Sequence, residues 1–195
     1  MNAAGEPRTA AGEPRAAATA SAAASPACPV RVVLALGSNL GDRMANLQGA
    51  VDALFRSPGL ECLAVSPVYQ TVPVGGPGQP DFLNAVLLAS STLPARAILA
   101  RGQAAEAAFH RVRGVAWGPR TLDVDVIAYD GVVSDDPVLT LPHPRAHERA
   151  FVLVPWHDVD SAAEIPGHGR IADLIAVTAS AAAVIPVPVI LRPPA

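Results

Sequence analysis

Apolar and polar positions along the chain fall into blocks of two periods, one near 3.6 residues and one near two. Residues 30–36 are a largely β-branched apolar run interrupted only by Arg31, which predicts a buried strand. Gly37-Ser38-Asn39-Leu40-Gly41-Asp42 then supplies turn chemistry, with Asp42 as the N-cap of a helix. Met44, Leu47, Val51, Leu54 and Phe55 recur at helical spacing until Ser57-Pro58-Gly59 ends the element. Residues 60–69 read as a second strand, and residues 71–80 are too rich in Gly and Pro for regular structure, which predicts a mobile loop. Residues 81–93 alternate into a third strand, with Phe82, Asn84, Val86 and Leu88 on one face and Leu83, Ala85 and Leu87 on the other. Pro94 suits the first turn of a second helix that runs to about His110 and turns Ile98, Ala105 and Phe109 inward.

A second loop over 111–116 leads to a fourth strand, in which Leu122, Val124 and Val126 alternate with Asp123 and Asp125. The order β-α-β-β-α-β is the split pattern of a ferredoxin-like core, so the fold class is α/β, built as an α+β sandwich. Extra short strands and helices follow at the C-terminal side: a turn at Asp130-Gly131, strand material over 132–138, and a short helix over 171–177. Residues 1–28, in which Ala3-Ala4-Gly5-Glu6-Pro7-Arg8 recurs at 10–15, read as a disordered tail. One domain then spans 29–178, and 179–195 forms a second, frayed tail.

The stretch Trp117-Gly118-Pro119-Arg120-Thr121-Leu122-Asp123-Val124-Asp125-Val126-Ile127 carries the candidate chemistry. A strand has a side-chain period of two, so Asp123 and Asp125 leave it on one face, roughly 6–7 Å apart. Two like charges that close, beside a core, call for something positive between them. Mg²⁺ fits, because it takes one or two carboxylates and completes its shell with phosphate oxygens and water. Two such ions would make a clamp for in-line transfer at phosphorus. Arg111, Arg113, Arg120 and Arg149 offer anion forks, and Phe82, Phe151 and Trp117 offer flat surfaces. His143 and His147 stand at helical spacing, but Pro144 argues against a continuous helix there and so against a histidine metal site. Read from the residues alone, this is a Mg²⁺-dependent phosphate-transfer site.

Composition narrows the choice. The chain has 195 residues, enough for one domain with a real core. All fourteen basic residues are arginine, which excludes a lysine-dependent phosphate loop and Schiff-base chemistry. A formal net charge of -3 points to neither a nucleic-acid nor a membrane partner, and no apolar run approaches the ~20 residues that span a bilayer. Cys28 and Cys62 lack a metal spacing and favour a reducing, cytoplasmic setting.

Several motifs in order resemble the 6-hydroxymethyl-7,8-dihydropterin pyrophosphokinase family. They are Gly37-Ser38-Asn39-Leu40-Gly41, Tyr69-Gln70-Thr71, Gln79-Pro80-Asp81-Phe82-Leu83-Asn84-Ala85, the Trp117 to Asp125 stretch, and Leu141-Pro142-His143 followed by Arg149 and Phe151. The resemblance implies a ferredoxin-like monomer that moves a diphosphate from ATP to the pterin and releases AMP in folate biosynthesis. It implies that Asp123 and Asp125 hold two Mg²⁺ ions, that Phe82 and Phe151 stack on the pterin, and that Asn84, Thr71 and Val74 contact the pterin's edge. Gln103, Glu106, Arg113, Trp117, Arg120, Val126, Thr140, His143 and Arg149 then match positions around ATP, with Arg111, Arg113 and Arg120 among the catalytic set. The implied mechanism has Mg²⁺-ATP bound first and both loops closing to exclude water. Two departures stand out: His110 where the family usually has glycine, and Ala116 where it usually has a basic residue. Two rival readings are another two-metal nucleotidyl transferase on this fold and a non-catalytic pterin or nucleotide binder.

Overall fold

The computed structural model describes residues 25–26, 28–73, 78–109, 118–178 and 181–194. The apolar run opens the chain as β1 (Val30–Ser38) and leads into α1 (Arg43–Phe55). Asp42 caps that helix by accepting a hydrogen bond from the Ala45 N–H at 3.0 Å. Then come β2 (Leu60–Val65), β3 (Pro67–Thr71), β4 (Phe82–Ser91), α2 (Ala95–Ala108) and β5 (Asp123–Tyr129). The remainder is β6 (Ser134–Asp136), β7 (Leu139–Leu141), a 3₁₀ turn at Ala146–Glu148, α3 (Ala150–Val159), β8 (Glu164–Ile165), β9 (Gly169–Arg170), α4 (Ile171–Val177) and β10 (Ile185–Ile190).

Among the described residues one antiparallel sheet runs in the order β10-β3-β4-β1-β5, with β2 continuing the β3 side of β4. The two central strands, β1 and β4, are the first and third of the split unit, as a ferredoxin-like core requires. Odd and even residues of β4 separate as the alternation predicts. Leu83, Ala85, Leu87 and Ala89 join Leu34, Leu47, Leu54 and Ile98 beneath α1 and α2. Val86 and Leu88 join Ile127, Leu153, Trp156 and Ile171 beneath α3 and α4. The sheet is thus covered on both faces, and the C-terminal helices supply the second cover.

Four sequence expectations change. Residues 60–69 are not one strand. Between the pairs Val65↔Leu87 and Tyr69↔Asn84 this segment advances one residue more than β4 does, so the chain bulges at Ser66-Pro67. Ser66 fills the gap, its Oγ accepting from Val86 N–H at 2.8 Å and its N–H donating to Val86 O at 2.9 Å. Second, Gly37 and Ser38 are not turn residues; they pair with Asn84 and Leu83 inside β1. Third, α2 ends at Ala108, and Pro94 stands just outside it as its N-cap. Fourth, residues 185–190 are not a frayed tail. They form β10 beside β3, an edge position where Pro186 and Pro188 cost no ladder hydrogen bond on the solvent side. The Asp130-Gly131 turn is as expected, with φ of 42° and 70° at its two central residues.

The acidic strand is backed closely. A Cβ on Gly102 of α2 would lie 3.0 Å from Val124 Cγ1, the residue between the two aspartates. Gly102→Val is therefore expected to cost about 1–3 kcal/mol by overpacking, read from the urea midpoint. Ile98→Ala on the same helix, which empties core volume instead, is expected to cost about 2–5 kcal/mol.

Candidate active site

On the face covered by α3, the sheet carries a cavity of about 350 Å³, inside the usual range for small-molecule sites. Its floor follows from register. Asn84, Gly37 and Asp123 lie opposite one another across β4, β1 and β5, and Val86, Ala35 and Asp125 form the next such row. Gly37 and Ala35 sit between larger neighbours and keep the floor low. A Cβ on Gly37 would meet Asn84 Oδ1 at 3.4 Å, with Asp123 Cβ and Phe82 Cδ1 both at 3.8 Å. The walls include Phe82, Thr71, Gln79, Arg120, His143, Arg149 and Phe151.

Each acid is paired. Arg120 Nη1 donates to Asp123 Oδ2 at 2.7 Å, and Arg149 Nη1 lies 3.5 Å from Asp125 Oδ2. Each of these arginines also faces a ring, Arg120 at 5.9 Å from the Phe82 centroid and Arg149 at 5.5 Å from that of Phe151. The cleft thus has two matching stacks of ring, guanidinium and carboxylate. Burial pulls the Arg149 pKa below its usual value, and Asp125 opposes that pull. Asn84, nearly fully buried, donates through Nδ2 to Thr71 Oγ1 at 2.8 Å. That bond fixes the amide with Oδ1 turned over the Gly37 floor as an acceptor.

His143 follows the Leu141-Pro142 pair and is held by a hydrogen bond from its own N–H to Ile127 O at 2.8 Å. Burial, then the Arg149 charge, pulls its pKa from 6.5 down to about 4. The ring is neutral at physiological pH. Its Nδ1 accepts from the Arg145 N–H at 3.2 Å, which leaves Nε2 as the N–H donor. His147 goes elsewhere and stacks on His168 with centroids 3.8 Å apart, so the two histidines of the motif do not converge.

The other expected ATP residues are spread more widely. Glu106 is almost fully buried on α2, and its Oε1 accepts from Val124 N–H at 2.9 Å, which anchors the acidic strand from behind. Gln103 is exposed one turn earlier on that helix. Val126 turns its side chain into the core beneath α2. Thr140 sits in the β6–β7 hairpin, its hydroxyl donating to Asp136 O at 3.1 Å. Val74, Arg111, Arg113 and Trp117, with His110 and Ala116, lie outside the described residues. Sequence reasoning missed Gly37 as the floor, and it missed Arg145 and Glu148, which also line the cavity. The charged spacing of the last two around His143 and Arg149 was the available signal.

Among the described residues no three His, Cys, Asp or Glu side chains gather as a metal cage. Two carboxylates on one face of one strand are what a magnesium ion needs when phosphate and water complete its shell, so the donor set fits that ion.

A profile of the 7,8-dihydro-6-hydroxymethylpterin-pyrophosphokinase family matches residues 33–161. The chain is 54% identical over 151 residues to the 2-amino-4-hydroxy-6-hydroxymethyldihydropteridine pyrophosphokinase of Mycobacterium leprae, covering 72% of this chain and 77% of that one. It is 39% identical over 146 residues to the Pseudomonas aeruginosa enzyme of the same name, covering 75% and 90%. Its fold is similar to that of wild-type Plasmodium falciparum HPPK-DHPS crystallised with pterin and p-hydroxybenzoate. There the TM-score is 0.58 at 13% identity, over 75% of this chain and 42% of that one.

The buried neutral histidine sets a pH dependence. An unfolded chain protonates His143 near 6.5 and the folded one near 4, so below 6.5 the unfolded state binds the extra proton. Ligand-free protein is expected to lose stability progressively between those two values as pH falls. In thermal melts, His143→Gln is expected to show a shallower decline than wild type over that window.

Proposed function

The chain belongs to the 7,8-dihydro-6-hydroxymethylpterin-pyrophosphokinase family and is a pyrophosphokinase of folate biosynthesis that uses ATP, and we propose how its cleft performs the transfer. A diphosphate group passes from ATP to the hydroxymethyl oxygen of 6-hydroxymethyl-7,8-dihydropterin, and AMP leaves. The observation that carries this reading is the pair of matched stacks, Phe82–Arg120–Asp123 and Phe151–Arg149–Asp125, around one cavity. A flat ring and a polyanion are the two things such a lining accepts side by side.

Phe82 and Phe151 take the two faces of the pterin, where stacking adds about 0.5–1.5 kcal/mol beyond area burial for each ring. Asn84 Oδ1 accepts from the pterin's polar edge, and Thr71 keeps the amide in that orientation. An analogue lacking that edge would leave a buried amide unpaired, which is how the site rejects it. On the other side Asp123 and Asp125 would hold magnesium, two ions in this reading, which would supply the positive charge that neutralises the phosphates. Arg120 and Arg149 leave their intramolecular partners to fork onto phosphate, and neutral His143 donates through Nε2. No side chain has to act as nucleophile, because phosphoryl-type transfer rests on positioning and charge neutralisation. Arg111, Arg113 and Trp117, proposed from the family resemblance to engage ATP, and Val74, proposed from it to contact the pterin, lie outside the described residues.

No helix among the described residues is long and apolar enough to cross a membrane. Cys28 is exposed and Cys62 half-buried, both as free thiols. We take the enzyme to act as a cytoplasmic monomer, with ATP and the pterin as its partners.

The test is an AMP-release assay coupled to pterin diphosphate. AMP is expected only when pterin and Mg²⁺ are both present, and excess chelator is expected to abolish it. Loss of several kcal/mol of charge stabilisation predicts that Asp123→Asn or Asp125→Asn lowers kcat by about 10³-fold or more. Phe82→Ala is expected to raise KM for the pterin about 10-fold while leaving KM for ATP nearly unchanged. Undiminished product in excess chelator, or AMP formed at equal rate without pterin, overturns the reading.

A further inference from the structure

Asn39 stands at the end of β1, 1% exposed, behind the wall of the cavity rather than in it. Its side chain joins two segments that are far apart in sequence. Oδ1 accepts from Arg120 N–H at 2.7 Å. Nδ2 donates to Gln79 Oε1 at 3.0 Å and to Pro80 O at 3.1 Å. The Asn39 backbone N–H donates to Arg120 O at 3.1 Å, so Arg120 is gripped at both its main-chain groups. The two gripped segments enter the two halves of the cleft. Pro80 is two residues before Phe82 and Gln79 lines the cavity; Arg120 pairs with Asp123 while facing Phe82.

We infer that Asn39 is a positioning residue that couples the two substrates, transmitting the occupancy of the phosphate half to the ring-binding half. The inference rests on the functional reading above. When Arg120 turns from Asp123 to phosphate, its main chain can shift only with the amide that holds it, and that amide also holds the segment leading to Phe82. A buried amide whose two N–H donors and oxygen are all bonded has no flipped arrangement that keeps these bonds, so the two segments move as one. Coupling of this kind is reciprocal: whatever factor nucleotide adds to pterin affinity, pterin adds to nucleotide affinity. An amide acting only as a staple would contribute stability and leave that factor alone.

The experiment measures pterin Kd by calorimetry with and without saturating Mg²⁺ and α,β-methylene-ATP, which cannot transfer its diphosphate. Wild type is expected to bind the pterin about 5–150-fold more tightly in the presence of the nucleotide analogue. Asn39→Ala is expected to bring that factor to within about twofold of one, with Kd for each ligand alone changed by less than about threefold. Gln79→Ala, an edit at a partly exposed residue that spares the buried end of the link, is expected to lower the factor in part. In the double variant the losses are expected to be non-additive. If Asn39→Ala melts earlier yet keeps the wild-type factor, the proposal is overturned and the residue is a staple. Should Asn39→Ala fail to fold, an unchanged factor in Gln79→Ala overturns it equally. Wild type that binds both ligands without any coupling also overturns it, whereas wild type that binds neither refutes the functional reading underneath.

Discussion

Two carboxylates on one face of one strand set the terms for this molecule. At roughly 6–7 Å, with an effective dielectric near 20, their repulsion is about 2–3 kcal/mol, and a half-buried setting keeps solvent from cancelling it. The fold answers with Arg120 and Arg149, one for each acid, and then gives each guanidinium an aromatic ring to lie against. Ion pairs that are partly open to solvent contribute little to stability, and the proposed function reads these two arginines as held for a stronger anion.

The strand that bears the acids is correspondingly well anchored from behind. Leu122, Val124 and Val126 sink into the core under α2, Gly102 lets that helix approach, and Glu106 accepts the Val124 N–H from a buried position. At its entry Ser38 Oγ donates to Thr121 O at 2.5 Å, and Asn46 Nδ2 reaches the same oxygen at 3.0 Å. The Asn39 link lies alongside. The cleft therefore sits on a rigid sheet, with both aspartates on a strand and Arg120 on the segment that enters it.

The opposite wall depends on an element that the split βαβ pattern alone does not include. The 3₁₀ turn at Ala146–Glu148 and helix α3 bring Arg149 and Phe151 over the sheet, and Trp156 and Leu153 pack that helix onto Val86 and Ile127. A bare ferredoxin-like core would leave this sheet face uncovered and the aspartates on an open surface. Closing it creates the cavity and desolvates His143 enough to keep the ring neutral.

Period and spacing in the sequence alone determined a good deal. Alternation in residues 81–93 and 122–126 set which face each side chain takes, because a strand has no freedom in that respect. The Asp-x-Asp pair, the arginine-only cations and the ordered motifs around Phe82, His143 and Phe151 pointed to the chemistry and the family. What the tertiary structure alone decided is which groups meet across distance. It paired Arg149 with Asp125, made Gly37 and Ala35 a floor, sent His147 to His168, and turned residues 185–190 into an edge strand. Those outcomes depend on the register between strands and on how helices cover the sheet. They are set by the packing of residues distant in sequence, which no local pattern encodes.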